Sequence, residues 1–423
     1  MKNSGVEWIG EIPDEWDIYR NKNAFICNKE IVGKNSNITQ LLSLTTSGIK
    51  CKDINNAEGK LPESFDTYQY VKKNDVVMCL FDLDMSAVFS SISQYDGMIS
   101  PAYKVLSCQD RANPLFIHYW FSYIFDGRKF NHYAKNIRYT LNYNEFATLP
   151  ILLPPKETQQ RIASYLDKKC SKIEETIQNQ QQVIEKLKAY KQSLITEAVT
   201  GKVKIANGKA CGEYESYKDS GVEWIGKIPS GWEVGKFGRF AQVKSNLVDP
   251  NLYLEYPQIA PDNIGKGSGK LIDWQTVKDS GVISWNHLFF KGQIVYSKIR
   301  PTLNKLIIAP FDGLCSADMY PIETNMYKQY FVYMMLSQYF VEQVGLITRD
   351  RVKMPKINQN ELSGILITVP TKDEQKSIAG YLDNKCTAID TAIEQKQNLI
   401  EKLTEYKKSL IYEVVTGKKE NIK

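Results

Sequence analysis

The sequence contains the same framework twice, in one register. The string Ser4-Gly5-Val6-Glu7-Trp8-Ile9-Gly10 returns as Ser220-Gly221-Val222-Glu223-Trp224-Ile225-Gly226, a step of 220 − 4 = 216 positions. Residues 154–202 return at the same step as residues 370–418, with 27 of 49 aligned positions identical, where average residue usage gives about three by chance. Between these blocks, residues 17–153 and 233–369 have equal length and mostly different residues. The arrangement predicts one geometry that presents two different surfaces.

Composition narrows the class of protein. A chain of 423 residues is expected to hold two to four domains, and a net charge of +6 favours a polyanionic partner only weakly. The sequence shows neither a secretory signal nor a run of 18 apolar residues, so we expect no membrane span. Its eight cysteines form no Cys-x-x-Cys pair, which argues against structural zinc and a disulfide framework and favours a cytoplasmic location with reduced thiols.

Each repeat ends in a segment with the pattern of a coiled coil. Residues 156–199 contain neither proline nor glycine, and their apolar positions recur in steps of four and three, a period of 3.5 residues. Gly201 and Gly417 follow the two segments and suit a left-handed helix cap. The predicted seam consists of Leu166, Cys170, Ile173, Ile177, Ile184, Leu187 and Leu194 in the first copy and Leu382, Cys386, Ile389, Ile393, Ile400, Leu403 and Leu410 in the second.

A helix of about 44 residues would span roughly 65 Å at 1.5 Å per residue. Each segment has one apolar seam and therefore needs a partner. We expect the two copies to pair antiparallel; the alternative is two separate amphipathic helices, each on its own domain. With Cys170 and Cys386 inside the seam, packing is favoured over a metal or redox role.

The segments between the repeated blocks predict α/β (α+β) domains. Short alternating runs separated by Gly, Asn and Asp turns indicate strands. Aromatic stretches at 115–125 and 327–341 have helical spacing and indicate packed helices rather than base-stacking platforms. The runs 149–153 and 365–369 indicate strands that lead into the long helices.

Basic residues concentrate at a few places in these segments. Arg and Asn suit base edges and Lys neutralises phosphate, so the clusters together favour nucleic acid, although for any one residue a solvated charged face is an equal alternative. The candidate DNA-binding residues are Lys135, Arg138, Tyr139 and Asn142 in the first segment, and Lys298, Arg300, Asn304, Lys305, Arg349, Arg351 and Lys353 in the second.

Signatures of catalysis are scarce. The glycine-rich string at residues 265–271 lacks the Lys-Ser/Thr pair of a phosphate-binding loop and is interpreted as a flexible turn. The three histidines have no ligand spacing, and we expect no metal site and no enzyme activity. Two alternatives stay open: a self-contained DNA methyltransferase or nuclease, and a scaffold whose domains bind proteins.

The repeated motifs resemble those of the specificity subunits of type I restriction–modification systems. The resemblance rests on Trp-Ile-Gly-x-Ile-Pro-x-x-Trp at 8–16 and 224–232, on Gln159-x-x-Ile162 and Gln375-x-x-Ile378 after the prolines, and on the Val-Thr-Gly-Lys endings at 199–202 and 415–418. It covers essentially the whole chain. One departure is Thr371, which stands where the first copy has Pro155.

The resemblance implies a non-catalytic subunit with two target recognition domains, each reading one half of a bipartite asymmetric site in double-stranded DNA. It implies recognition domains at 1–153 and 216–369, spacer helices at 154–201 and 370–417, a linker at 202–215 and a tail at 418–423. The helices would fix the gap between half-sites and dock two methyltransferase subunits and two restriction (motor–nuclease) subunits. S-adenosylmethionine would belong to the methyltransferase, ATP and Mg²⁺ to the restriction subunit, and no cofactor to this chain.

Overall fold

The computed structural model describes residues 1–53, 62–134, 138–351 and 353–419. The chain divides into two compact units, one formed by Met1–Gln180 with Asn398–Lys423 and the other by Gln181–Gln397. Each unit therefore combines one of the two divergent segments with parts of both long helices.

The first unit is built from short strands, two short helices and parts of both long helices. Its strands are β1 Lys2–Asn3, β2 Glu11–Ile12, β3 Asp17–Arg20, β4 Phe25–Asn28, β5 Leu41–Thr45, β6 Gly48–Lys52, β7 Gln69–Val71, β8 Val76–Met78, β9 Ser90–Ile92, β10 Gly97–Ile99, β11 Lys104–Cys108 and β12 Pro150–Leu153. Its helices are α1 Pro114–Asp126, α2 Tyr143–Thr148 and the first part of α3 Lys156–Val199.

The second unit repeats this order with additions. Its strands are β13 Ile205–Ala206, β14 Lys209–Ala210, β15 Tyr217–Asp219, β16 Lys227–Pro229, β17 Glu233–Lys236, β18 Ala241–Val243, β19 Leu247–Val248, β20 Pro257–Ile259, β21 Gln275–Thr276, β22 Asn286–Phe289, β23 Ile294–Ser297, β24 Leu306–Ile308, β25 Gly313–Cys315, β26 Met319–Thr324 and β27 Leu366–Val369. Its helices are α4 Phe237–Phe240, α5 Val277–Ser280, α6 Lys328–Leu336, α7 Gln338–Thr348, α8 Gln359–Gly364 and the first part of α9 Lys372–Val415.

The sheets of the two units share one topology. The first has four-stranded sheets in the orders β4-β11-β8-β9 and β6-β5-β10-β7, and the second has β18-β26-β23-β24 and β19-β22-β25-β20-β21. Pairing is antiparallel except where β5 meets β10 and β20 meets β25. In both units the strand before the long helix pairs with an early strand, β12 with β3 and β27 with β17. The predicted mixed fold and its internal repeat are confirmed, and the divergent segments share one architecture.

A buried glutamine fixes the start of each long helix. Gln159 Nε2 donates to the carbonyl of Pro154 at 2.8 Å, and its Oε1 accepts from the backbone N–H of Asn113, the cap of α1. Gln375 makes the same two bonds, to Pro370 and from Tyr327. Because a buried amide must find partners for both ends, this arrangement explains why glutamine recurs at the same position of both repeats.

The long helices have the predicted length, 44 residues each. All fourteen predicted seam residues are buried or half-buried. In the first unit the amino-terminal part of α3 lies with the carboxyl-terminal part of α9 in one core, and in the second unit the opposite parts lie together. Each unit therefore holds an antiparallel portion of the helix pair. The aromatic stretches are helices, α1, α6 and α7, whose large side chains fill the cores.

The segment expected as a linker, 202–215, contains a small hairpin. Strands β13 and β14 pair at two positions, and Ile205 is 3 % exposed within the core of the second unit. This short stretch is therefore anchored by burial rather than extended freely between domains.

Candidate nucleic-acid interface

The two basic stretches of the second unit lie side by side. Ile299 forms an isolated antiparallel bridge with Lys356. The N–H of Arg300 donates to the carbonyl of Pro355 at 2.7 Å, and the N–H of Ile357 donates to the carbonyl of Lys298 at 3.0 Å. Segments that are far apart in sequence thus form one surface. We name residues 297–305, together with 349–351 and 353–357, the basic loops.

Backbone geometry gives the first basic loop a defined shape. Arg300 and Asn304 adopt left-handed conformations, with φ of 43° and 47°, on either side of the short 3-10 turn Pro301–Leu303. Asn304 is 3 % exposed, and its Nδ2 donates to the carbonyl of Met335 in α6 at 2.8 Å. The predicted DNA contact Asn304 is therefore an internal anchor in this structure, and its side chain is not available at the surface.

Acidic groups hold several of the predicted cations. Asp318 lies 2.9 Å from Lys356 and 4.0 Å from Lys298, whose ammonium also lies over the ring of Tyr320. Lys305 is 15 % exposed and donates to the carbonyl of Pro261 at 2.8 Å. These side chains are therefore partly committed to carboxylates and carbonyls of the protein itself.

Arg351 is held by a carboxylate that also caps a helix. Its guanidinium lies 2.5 Å from Glu361, and it also donates to the carbonyl of Lys356. Glu361 in turn completes a capping box with Asn358 at the start of α8. The hydrogen bond from Arg351 lowers the pKa of Glu361, and the same bond raises the pKa of Arg351. Arg351 therefore ties the second basic loop to α8.

Besides Arg351, three predicted cations are exposed at the surface. Arg300, Arg349 and Lys353 are all exposed. Arg349 has 72 % of its side chain accessible and lies 3.8 Å from Asp350, itself almost fully accessible, so that pairing is worth little. The basic loops thus present a small cationic surface on a backbone that is hydrogen-bonded into the unit.

The corresponding place in the first unit has a similar backbone contact but different side chains. The N–H of Leu83 donates to the carbonyl of Tyr139 at 3.3 Å, and the N–H of Leu141 donates to that of Leu80 at 2.8 Å. Arg138 and Tyr139 are exposed there, whereas Lys135 lies outside the described residues. The backbone contact resembles that of the basic loops, and it brings two of the predicted residues to the surface.

The basic loops and the corresponding surface of the first unit differ in charge. Asp82 and Asp84 stand 216 positions before Lys298 and Arg300, so acidic residues in the first unit replace basic ones in the second. Arg128 donates to the carbonyl of Leu83 and lies 4.3 Å from the ring of Phe125. The first surface therefore mixes both signs, while the second is mainly cationic.

Asn142 caps a short helix. It is the N-cap of α2, accepting from the N–H of Glu145 at 3.0 Å, and Glu145 completes the capping box by accepting from the N–H of Asn142. Asn358 and Glu361 form the same box 216 positions later. Asn-x-x-Glu recurs after 216 positions, which is a sequence signal for a helix cap. The assignment of Asn142 to DNA binding did not take this signal into account.

Sequence reasoning also missed the anions that organise the basic loops. Asp318 and Glu361 are acidic, and residue type alone gave no reason to place them beside a cationic surface. Lys356, which is 47 % accessible and paired with Asp318, belongs to this surface although it was not among the candidates. These acidic and basic residues become neighbours only because distant segments of the chain lie side by side in the fold.

Neither a metal site nor a membrane span is found in the described part of the chain. Among those residues no group of three or more His, Cys, Asp or Glu side chains could hold a metal ion. No helix in the same residues is long and apolar enough to cross a membrane.

Comparison with known proteins adds a family likeness. A family model described as the type I restriction modification DNA specificity domain matches residues 47–189 and 229–403. The EcoDI specificity subunit of a type I restriction enzyme from Escherichia coli is 31 % identical over 283 residues, covering 64 % of this chain and 63 % of that protein. The MjaX specificity subunit from Methanocaldococcus jannaschii is 24 % identical over 434 residues, covering 97 % of this chain and 95 % of that protein.

A solved structure shares the fold. It comes from work on complex assembly and conformational transition of the type I restriction–modification system, and it superposes with a TM-score of 0.68 over 96 % of this chain and 98 % of that one at 13 % identity. At this identity the likeness concerns the fold alone.

Proposed function

The chain belongs to the type I restriction–modification DNA specificity family, and on this premise we propose that it reads a bipartite site in double-stranded DNA, one half with each unit. The globular parts, within 1–153 and 216–369, act as the two recognition domains. The helices within 154–201 and 370–417 act as the spacer that fixes the gap, with 202–215 between them and 418–423 as a tail.

The observation that carries this proposal is the pair of basic loops. Arg300, Arg349 and Lys353 are exposed on two segments whose backbones are hydrogen-bonded to each other. A pre-ordered cationic surface loses little conformational entropy on binding a polyanion, and arginine can also grip guanine bidentately. Lys298, Lys305 and Lys356 add positive potential from partly covered positions.

The first unit reads its half-site with a different surface. Arg138 and Tyr139 supply a cation and an aromatic ring there, beside Asp82 and Asp84. Carboxylates can accept a hydrogen bond from cytosine but repel phosphate. We therefore assign most of the salt-dependent affinity to the second unit.

Catalysis is assigned to partners rather than to this chain. The chain docks methyltransferase subunits, which bring S-adenosylmethionine, and restriction subunits, which bring ATP and Mg²⁺. The antiparallel helix portions offer each unit a similar outer surface for such subunits, because the two copies retain 27 identical positions of 49.

Salt-dependent DNA binding tests the proposal. The triple variant Arg300→Gln, Arg349→Gln, Lys353→Gln should flatten the slope of log affinity against log salt by about 0.9 for each residue that neutralises a phosphate in B-DNA. The matched control is Lys209→Gln, Lys218→Gln, Lys227→Gln, which removes three exposed charges outside the basic loops. Equal slopes for the two triple variants in gel-shift titrations would show that net charge alone, and not this surface, governs binding.

A further inference from the structure

The glycine-rich string of the second unit is an ordered loop. Ile264 bridges Leu271, the N–H of Gly265 donates to the carbonyl of Lys270 at 3.0 Å, and Ser268 Oγ donates back to the carbonyl of Gly265 at 3.0 Å. The predicted turn is present at residues 266–268, and these hydrogen bonds close it into a hairpin.

One side of this loop is bonded to the basic loops. The N–H of Gly267 lies 3.1 Å from the carbonyls of both Leu303 and Asn304. Gly267 has a φ of +56°, a conformation that side chains with a Cβ rarely adopt,. The contact falls at the end of the 3-10 turn that follows Arg300, so residues 265–271 support the segment that carries the exposed arginine.

The other side of the loop is bonded to a long helix. Lys270 Nζ lies 2.7 Å from Oδ2 of Asp390 in α9, and Lys191 Nζ of α3 lies 2.7 Å from Oδ1 of the same carboxylate. Burial alone would raise the pKa of Asp390, but the two lysines outweigh burial and lower it. Asp390 is therefore an anion held between the helix pair and the loop. We name residues 265–271 with the Lys270–Asp390 ion pair the clasp.

In the first unit the equivalent carboxylate pairs with a lysine of the other long helix. Glu174, 216 positions before Asp390, pairs with Lys407 at 2.5 Å and is 54 % accessible. The hairpin of β5 and β6 there lines a cleft of about 800 Å³ together with Glu174, Lys407 and residues of α1. The helix ion pair is thus common to both repeats, and in the second unit Lys270 also links it to the globular part.

We propose that Lys270 is a positioning residue for DNA reading: through the clasp, the basic loops of the second unit are held in a fixed place against the spacer helices. The continuous path runs from Asp390 through Lys270 and the N–H of Gly267 to the turn after Arg300. This inference rests on the proposed function, because a fixed position of the turn after Arg300 matters only if that turn reads DNA. The coupling between Asp390, Lys270 and that turn is a property of the protein without DNA.

Hydrogen exchange tests the coupling without DNA. In the full chain, Lys270→Met should raise amide exchange about two- to fivefold in peptides covering residues 264–272 and 298–306, the range expected when a partly exposed ion pair is lost. Lys270→Arg, which keeps the charge, should restore protection. Lys266→Met is the matched control, because Lys266 is an exposed lysine of the same loop with no ion pair among the described residues. Unchanged exchange in Lys270→Met, or equal exchange in the control, would overturn the clasp.

Selection from a duplex library with a randomised central segment tests the reading role. Lys270→Met should change or relax the preference at the second half-site and leave the first unchanged. In the background Lys191→Gln, Asp390→Asn, where the anion is already gone, Lys270→Met should add nothing. If it still weakens binding there, equally for all sequences, Lys270 is a phosphate contact and the positioning role is wrong. If Lys270→Met loses exchange protection but the wild-type chain does not bind DNA, the clasp is retained and the proposed function is rejected.

Discussion

Trp16 lies against Gly417, with the Cη2 atom of its ring 3.2 Å from the position that a Cβ on Gly417 would take. Gly417 has a φ of +74°, and a Cβ there would also lie 2.5 Å from Cγ of Pro13. Gly201 meets Pro229 and Trp232 in the same way in the second unit. The Ile-Pro-x-x-Trp motif at the start of each globular part thus packs on the helix end that follows the other globular part. This contact links two of the most strongly repeated motifs.

Alanine at these glycines should destabilise the protein for two reasons. The left-handed conformation alone costs about 1–2 kcal/mol for a residue with a Cβ, and the clash with proline and tryptophan should add at least about 1 kcal/mol. Urea unfolding of Gly201→Ala and Gly417→Ala measures the total.

Two other repeated glycines separate the conformational cost from the cost of the clash. Gly5 and Gly221 have φ of +72° and +71°, and a Cβ there would meet nothing within 4 Å. Gly5→Ala and Gly221→Ala should therefore show the conformational cost alone. Equal losses in all four variants would contradict the packing role of Gly201 and Gly417.

Acid should loosen the second unit through Glu374. Burial alone would raise the pKa of Glu374, but bonds from Trp232 Nε1 at 3.0 Å and from Thr371 outweigh burial and lower it. A folded-state pKa below the unfolded value of about 4.3 means that the stabilisation is present above that pH and is lost as the pH falls through the folded pKa. Glu374→Gln should therefore flatten the stability profile in that acidic window.

The first unit supplies the comparison for this prediction. Thr158 stands 216 positions before Glu374, so Trp16 has no carboxylate at the equivalent place. Tryptophan fluorescence during an acid titration of a Trp16→Phe variant should keep the transition, whereas Trp232→Phe should lose it. The opposite pattern would place the acid-sensitive group elsewhere.

Sequence patterns predicted the local parts of this structure and missed the distant contacts. The seven-residue period fixed α3 and α9 because a seam depends on spacing within one segment. The bridge between Ile299 and Lys356 joins segments separated by many elements, and no local pattern encodes it. Asn304 and Asn142 show the second limit, because asparagine has the same chemistry when it anchors a turn, caps a helix or reads adenine. Only burial and hydrogen-bond partners separate these uses.

The spacer helices should set the gap between half-sites. Inserting one heptad after Gln182 and one after Asn398 keeps the seam period and lengthens each helix by about 10 Å, the rise of about three base pairs. Methylation sequencing of cells carrying the complete system should show a longer gap with both half-site sequences retained. A heptad in only one helix should instead abolish modification, since it misaligns the seam. An unchanged gap in the double insertion would refute the spacer role.

Thiol reactivity should follow burial. Cys51 and Cys211 are exposed, whereas Cys79, Cys170, Cys315 and Cys386 are buried. Burial raises the pKa of Cys170 and of Cys386 to about 11, so little thiolate forms at neutral pH. Labelling of the native chain should be fast at Cys51 and Cys211 and absent at the seam cysteines until urea is added. Fast native labelling of Cys170 or Cys386 would contradict their packing role.

Asn142 offers the sharpest separation between a cap and a DNA contact. Aspartate caps helices as well as asparagine does, but it lacks the amide that pairs with adenine and adds a charge that phosphate repels. If Asn142 only caps α2, Asn142→Asp should leave both stability and DNA preference unchanged, and Asn142→Ala should lower the free energy of unfolding by about 1 kcal/mol. If it also reads DNA, Asn142→Asp should weaken binding at the first half-site at unchanged stability. Asn358→Asp, at the equivalent cap of the second unit, is the matched control, and library selection with each variant measures the half-site preference.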